Sequence, residues 1–226
     1  MLRSRGTIAD MEPDTPTPSA PRRGRYAEAA RNDGAILDAA REVFVDDPTA
    51  PIAEVARRAG VGIGALYHRY ASKEQLLGTL CAVGQDLYLA ETERALADDG
   101  DPWQAYVTWL ERIVDADTHS LTVALAGTFT PDDGHRERTV RMVDLAGQLF
   151  ARTRESGRLR ADVTELDVAL LLETIARARL GDRTRTAELR RRQLALLVDG
   201  LCTPDPHPLP STPPTWEEQE SRWSPA

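Results

Sequence analysis

The sequence predicts an all-α protein of about nine helices, on three observations. Apolar residues recur at helical spacing through the middle of the chain. Capping residues punctuate the gaps between these stripes. No stretch sustains period-two alternation with β-branched enrichment. Of the 226 residues, 41% are hydrophobic and 28% charged, which supplies a folded core and excludes global disorder. Proline marks the limits: of 15 prolines, four lie at 13–21 and seven at 204–225, with Pro48, Pro51, Pro102 and Pro131 between them. Both ends therefore read as disordered or extended tails. Trp216 and Trp223 in the acidic C-terminal tail are assigned to a mobile segment, with docking as the alternative.

The elements follow in order. Ile36, Leu37, Ala40, Val43 and Phe44 form the first stripe, then Ile52, Val55, Ala56 and Ala59, then Ile63, Leu66, Tyr67 and Tyr70. Ser72 followed by Gln75 has the form of a capping box and starts a long helix at Lys73, with Leu76, Leu80, Val83 and Leu87 along it. Asp101-Pro102 is an N-cap followed by proline at the first helical position, leading into Trp103, Tyr106, Val107, Leu110, Ile113 and Val114. A helix near 135–156 carries Val140, Val143, Leu149 and Phe150. Thr164 caps a stripe from Val168 to Leu180, and the last stripe runs from Leu189 to Leu201. Gly157, Gly181 and Gly200 stand where helix ends are expected.

Several functions are excluded at this level. The apolar runs are too short for a membrane span, and MLRSRGTIADMEPD lacks the apolar stretch of a signal peptide, so a cytoplasmic protein without membrane contact is expected. Cys81 and Cys202 have no zinc spacing, and the four histidines form no H-x-x-x-H pair; no metal and no cofactor are expected. The absence of Glu-x-x-His, H-E-x-x-H and G-x-S-x-G argues against an all-α enzyme, and no catalytic residues are assigned. The net charge of -8 lies wholly after residue 80, where 25 acidic residues meet 17 basic ones; residues 1–80 are neutral, which leaves room for a local basic surface.

Residues 52–70, IAEVARRAGVGIGALYHRY, carry the functional signal. A two-turn helix meets Ala59-Gly60-Val61, and a second short helix follows. Small residues at 56 and 59 permit close approach, and Gly60 suits a left-handed turn. This is the arrangement of a helix-turn-helix, which offers the N-terminal half of its second helix to a major groove. An ordinary αα-corner has the same spacing. Gly60-x-Gly62-x-Gly64 is not a phosphate loop, because no strand precedes it.

Residues 31–80 resemble the DNA-binding domain of the TetR family of transcriptional regulators. The likeness rests on ILDAAREVF (Ala39, Ala40, Phe44), on Val55-Ala56 through Val61, on Gly64, Leu66, Tyr67 and Tyr70, and on Lys73, Leu76 and Leu77. GRLRADVTELDVALLL also resembles the lead into the family's eighth helix. The resemblance implies a disordered arm at 1–24, a three-helix DNA-binding domain at 25–72, a helical ligand-binding and dimerisation domain at 73–202, and a Pro-rich tail at 203–226. It makes Gly62 to Tyr70 the recognition helix, with Gly62, Ile63, Gly64 and Ala65 at the groove floor and Tyr67 and His68 at phosphates or base edges. Lys73 and the start of its helix would grip a phosphate. Arg57 and Arg58, Arg69 at the rim, and Arg22, Arg23 and Arg25 in the arm would add charge. Pro51-Ile52 replaces the threonine that often caps the second helix, and Ala65 replaces the threonine common in G-T-L-Y, so two hydroxyl contacts are lost. Readout is then expected to lean on Tyr67, His68, thymine methyls and DNA shape.

For the second domain, the broad apolar faces Val168, Leu171, Leu172, Ile175 and Leu194, Leu197, Val198, Leu201 are candidates for a four-helix homodimer interface, or for packing within one subunit. Trp103, Tyr106, Trp109, His119, Phe129, Met142 and Phe150 are candidate pocket residues for an unidentified small-molecule effector, with plain core as the alternative. The expected partner is a near-palindromic double-stranded DNA operator bound by a dimer, and the expected role is repression released by the effector. The competing reading is a helical interaction protein whose degenerate helix-turn-helix no longer binds DNA.

Overall fold

The computed structural model describes residues 22–202 and 206–221, with side chains from Asp33 onward. Among the described residues there are ten helices and no strand. They are α1 (Arg22–Asp46), α2 (Ile52–Ala59), α3 (Ile63–Arg69), α4 (Lys73–Leu96), α5 (Pro102–Asp115), α6 (Thr118–Leu125), α7 (Asp133–Glu155), α8 (Glu165–Arg177), α9 (Arg183–Leu201) and α10 (Trp216–Ser221). None is long and apolar enough to cross a membrane. The expected arm lies outside the described residues up to residue 21, and α1 already begins at Arg22. The side chains of Arg22, Arg23 and Arg25, and all of Trp223, also lie outside them.

Local chemistry sets the helix ends. Ser72 accepts from the Gln75 amide at 3.1 Å, Asp101 from Gln104 at 2.9 Å and Asp132 from His135 at 2.9 Å, each satisfying an amide that the first turn leaves open. Thr164 and Asp167 complete a reciprocal capping box at α8. Gly60 ends α2 at φ 69°, a conformation that costs a side-chain-bearing residue more than glycine. Gly157 and Gly181 take the same conformation beyond α7 and α8. Gly200 does not end a helix: α9 runs through it to Leu201, whose burial in the core holds the last turn.

The stripes bury two cores. The first joins Ile36, Ala40 and Phe44 of α1 with Val55 of α2, Leu66 of α3, Leu76 and Leu80 of α4, and Leu121 and Leu125 of α6. The second gathers the aromatic face of α5 with Leu149 and Phe150 of α7, Val168, Leu172 and Ile175 of α8, and Leu194 and Leu201 of α9. Helix α4 serves both, through Leu76, Leu77 and Leu80 near its start and Ala95 near its end.

Two helices lack counterparts among the sequence stripes. Helix α6 starts at Asp117, which adopts φ 52°, a left-handed conformation that aspartate tolerates better than most residues. Helix α10 lies in the tail. Over 206–221 the tail makes contacts with the body of the fold. Arg160 donates to the His207 carbonyl at 2.8 Å, the Leu209 amide donates to Asp162 at 3.0 Å, and Gln219 donates to Glu173 of α8 at 3.1 Å.

Candidate nucleic-acid interface and effector interior

Helix α3 has seven residues, and only Leu66 is buried within it, with Tyr70 buried as its C-cap. Gly62, Ile63, Gly64, Ala65, Tyr67, His68 and Arg69 all face solvent, with Ile63 44% and Tyr67 49% exposed. An isolated helix this short is unstable, so its position depends on its anchors. Leu66 plugs the first core. Asp33 of α1 accepts from the Tyr70 hydroxyl at 2.7 Å and from both arms of Arg69 at 2.8 and 2.6 Å. Arg69 and Tyr70 hold the Asp33 carboxyl below its usual range despite partial burial, while burial and the neighbouring carboxylate push Tyr70 up to about 12. The structure thus leaves Gly62, Ile63, Gly64, Ala65, Tyr67 and His68 exposed around the buried Leu66. This surface is bare at its start: a Cβ at Gly62 or Gly64 would meet nothing within 4 Å.

The flanking arginines are paired within the chain. Arg57 donates to Glu54 at 2.9 Å, and Arg58 to Glu42 at 2.5 Å, with Arg183 also on Glu42 at 2.8 Å. These pairs are exposed and contribute little to stability, so a phosphate can replace the carboxylate at small cost. The structure places Lys73 against the chain itself. Its ammonium donates to the carbonyls of Pro48 and Ala50, both at 2.8 Å, and sits 5.0 Å from the centre of the Phe44 ring. It stitches the loop before α2 to the start of α4, because those carbonyls have no helical partner and the ring face favours a cation. Lys73→Met is therefore expected to lower stability by about 1–2 kcal/mol, since two carbonyls lose their donor. The salt slope of DNA binding should stay unchanged, whereas loss of a phosphate contact would reduce it by about 1. Denaturation and a salt titration of the same variant decide between the two roles.

The second core contains a chain of rings. Trp103 lies 6.4 Å from Tyr106, Tyr106 stacks on Trp109 at 5.4 Å and meets the Phe150 edge at 6.3 Å. Tyr88 links Trp109 at 5.7 Å to His119 at 6.2 Å. The Trp109 indole donates to Thr92 at 3.0 Å, which satisfies its N–H inside the core. Five of the seven expected pocket residues thus share one interior. Phe129 does not: it belongs to the first core, 5.4 Å from His135. Met142 is half-buried on α7 and belongs to neither core.

Tyr88, Glu165 and Glu173 were missed. Burial raises the Glu165 carboxyl, and burial likewise raises Tyr88 and Tyr106, with a smaller push from the nearby Glu165 charge. Tyr88 follows Leu87 on the α4 stripe, and Glu165 reads as an ordinary acidic residue of a first helical turn; only packing shows that both face inward. The interior is closed. The crevice beside His119, lined with Asp117, Leu172, Ile175 and Arg190, measures about 10 Å³, room for about one water.

Burial pulls His119 down to about 4, against the opposing charges of Glu173 and Asp117. The unfolded chain therefore binds a proton below about 6.5 that the folded chain refuses until about 4. Stability from this group is complete above 6.5 and is lost as pH falls through that window. The expected loss at pH 5 is about 1–2 kcal/mol, allowing for partial exposure. Denaturant titrations of the wild type and His119→Phe at pH 7 and pH 5 should differ in pH slope by this amount.

The expected dimer residues are mostly interior. Val168, Leu172, Ile175, Leu194 and Leu201 are buried in the second core, and Leu197 and Val198 pack against it; of the eight, Leu171 stands exposed. The sequence stripe could not separate two apolar sides of one helix. The outer surface carries Leu171 of α8, Leu180 of the loop that follows it and Leu196 of α9, and Leu180 and Leu196 line a groove of about 200 Å³ with Leu189 and Ala178.

Residues 36–80 match the family described as bacterial regulatory proteins, tetR family, and residues 101–203 match the SbtR-like transcriptional regulator C-terminal domain. A 65-residue stretch is 42% identical to the HTH-type transcriptional repressor LfrR of Mycolicibacterium smegmatis, spanning 29% of this chain and about a third (34%) of that protein's length. The fold is similar to that of a TetR transcription regulatory protein from Mycobacterium vanbaalenii, with TM-score 0.54 and 24% identity over 79% of this chain and 99% of that one. It is also similar to LfrR from Mycobacterium smegmatis in complex with proflavine, with TM-score 0.52 and 22% identity over 74% and 96% of the two chains. With the helix-turn-helix and the helical second half each matched, the chain belongs to the TetR family of transcriptional regulators, DNA-binding proteins that are not enzymes.

Proposed function

We propose that this chain is a dimeric repressor that reads a near-palindromic DNA operator and is released by a small ligand. The observation that carries the reading is the exposed, glycine-bare face of α3, from Gly62 to His68, held rigidly by Leu66 and the Asp33 clamp. Glycines at 62 and 64 let the backbone approach the groove closely, and Tyr67 and His68 supply the polar reach. Two copies joined through Leu171, Leu180 and Leu196 would set two such helices at successive half-sites about 34–36 Å apart. The DNA-binding domain would span 25–72 and the sensing and pairing domain 73–202.

The effector class follows from the interior. Stacked rings with the half-buried carboxyl of Glu165 and the buried carboxyl of Glu173 nearby favour a flat organic cation, held by stacking and charge. LfrR, the relative of similar fold, was solved with proflavine. The test is selection of genomic fragments by the purified protein, then titration of the recovered site at two salt concentrations. A near-palindrome bound cooperatively and weakened by salt supports the reading. A folded protein that enriches no sequence would favour the interaction-protein alternative.

A further inference from the structure

The C-terminal segment lies beyond the second family match, which ends at residue 203. It is nevertheless built into the fold at two points. Near its start, Arg160 and Asp162 form a two-armed pair at 2.7 and 3.0 Å, and this pair receives the chain: Arg160 donates to the His207 carbonyl and Asp162 accepts from the Leu209 amide. Ordered geometry on that carboxylate matches its depressed titration, down to about 2, which Arg160 and Leu209 cause. Thr215 and Glu218 then cap α10 reciprocally, with the Thr215 amide donating at 2.8 Å and the Glu218 amide at 3.2 Å. The result places Gln219 against α8, where its side-chain amide donates to Glu173 at 3.1 Å.

Glu173 is 4% exposed, a buried carboxylate in the middle of α8. Its charge acts on His119, whose ring meets Tyr88, whose ring meets Trp109. Gln219 therefore stands one side chain away from the ring-lined interior. Gln219 is one of the partners of that carboxylate, and its amide N–H is the kind of donor that a cation's N–H would displace.

We propose that residues 206–221 form a strap that closes the interior beside α8, with Arg160 and Asp162 as its anchor and Gln219 as its latch on Glu173. A cationic ligand entering the interior competes with Gln219 for Glu173 and so opens the strap. This second statement rests on the ligand class proposed above; the closure itself does not.

The test uses the full chain with Trp216→Phe and Trp223→Phe, which leaves Trp103 and Trp109 as the only tryptophans and as reporters of the interior. Into this background go Gln219→Glu, which sets two carboxylates face to face, and separately Asp162→Ala, which frees the anchor. Acrylamide quenching and hydrogen exchange of α8 are read first, then the association rate of proflavine as a fluorescent flat cation. The expected result is at least threefold stronger quenching, faster α8 exchange and about tenfold faster dye association in both variants, with an unchanged circular dichroism spectrum. Unchanged quenching and unchanged α8 exchange in both variants would overturn the strap. Stronger quenching in variants that bind no dye would support the strap and refute the cation class, so the two failures are distinguishable.

Discussion

Gly64→Asp is expected to abolish operator binding while leaving the fold intact. Gly64 is exposed in the first turn of α3, and a Cβ there meets nothing within 4 Å, so no neighbour must move. Glycine in a helix costs about 0.5–1 kcal/mol relative to alanine, and an acidic residue in the first turn interacts favourably with the helix dipole. Stability should therefore stay level or rise slightly. The same carboxylate would stand where the helix meets the polyanionic groove, and at least a hundredfold loss of affinity is expected, about 3 kcal/mol. Gly64→Ser, which adds volume and a hydroxyl without charge, should lose much less. Anisotropy titrations with the recovered operator, beside thermal melts of the same samples, decide the matter. If Gly64→Asp binds as tightly as the wild type, the face of α3 does not enter DNA and another surface of the chain makes the contact.

The all-helical class and most helix starts were legible because they are local properties. Ser72, Asp101 and Thr164 cap the helices that their spacing announces, and the stripes of α1, α2 and α5 turn one apolar side inward. The likeness over residues 31–80 placed α3 because its register is set by Leu66 and Tyr70, both buried in the structure. What was not legible depends on which side of an apolar element turns inward. Helix α9 has leucines on two sides; Leu194 and Leu201 are interior and Leu196 is 66% exposed, a distinction made by α5 and α8 rather than by α9 itself. The likeness to the family makes Lys73 a phosphate contact at a helix start that favours anions. In the structure its ammonium meets two carbonyls of a distant loop, which sequence spacing does not reveal. In the tail, seven prolines masked a capping signal that was present in Thr215-Trp216-Glu217-Glu218. Helix α6 carries too short a stripe to stand out, and its start requires the left-handed backbone of Asp117.

The largest effect on stability is expected from Arg190→Ala. Arg190 is 7% exposed in α9, yet it carries a full charge. Its guanidinium donates to the Ala178 carbonyl at 3.2 Å, to the Ala176 carbonyl and to the Asp117 carboxylate at 2.6 Å. Two of these acceptors lie at the C-terminal end of α8, where the helix dipole favours a cation. Truncation leaves both carbonyls and the carboxylate without this donor, and the expected cost is about 3 kcal/mol. The midpoint of denaturant unfolding should fall with an unchanged slope. The loss should also reach the DNA-binding half. Asp117 holds its left-handed backbone beside Arg190, and the carbonyls of Ala116 and Asp117 accept from Arg41 of α1 at 3.0 and 3.3 Å. Arg179 reaches Asp46 at 2.6 Å across the same joint, so α1 is tied to the α8–α9 corner by charged side chains rather than by apolar packing alone. At a denaturant-free temperature where Arg190→Ala remains folded, operator affinity should fall more than in Arg191→Ala, whose exposed pair with Asp115 lies one position away on the same helix. A variant that loses stability but binds the operator like Arg191→Ala would make Arg190 a packing residue only. Equal stability of Arg190→Ala and wild type would remove the joint from the account altogether.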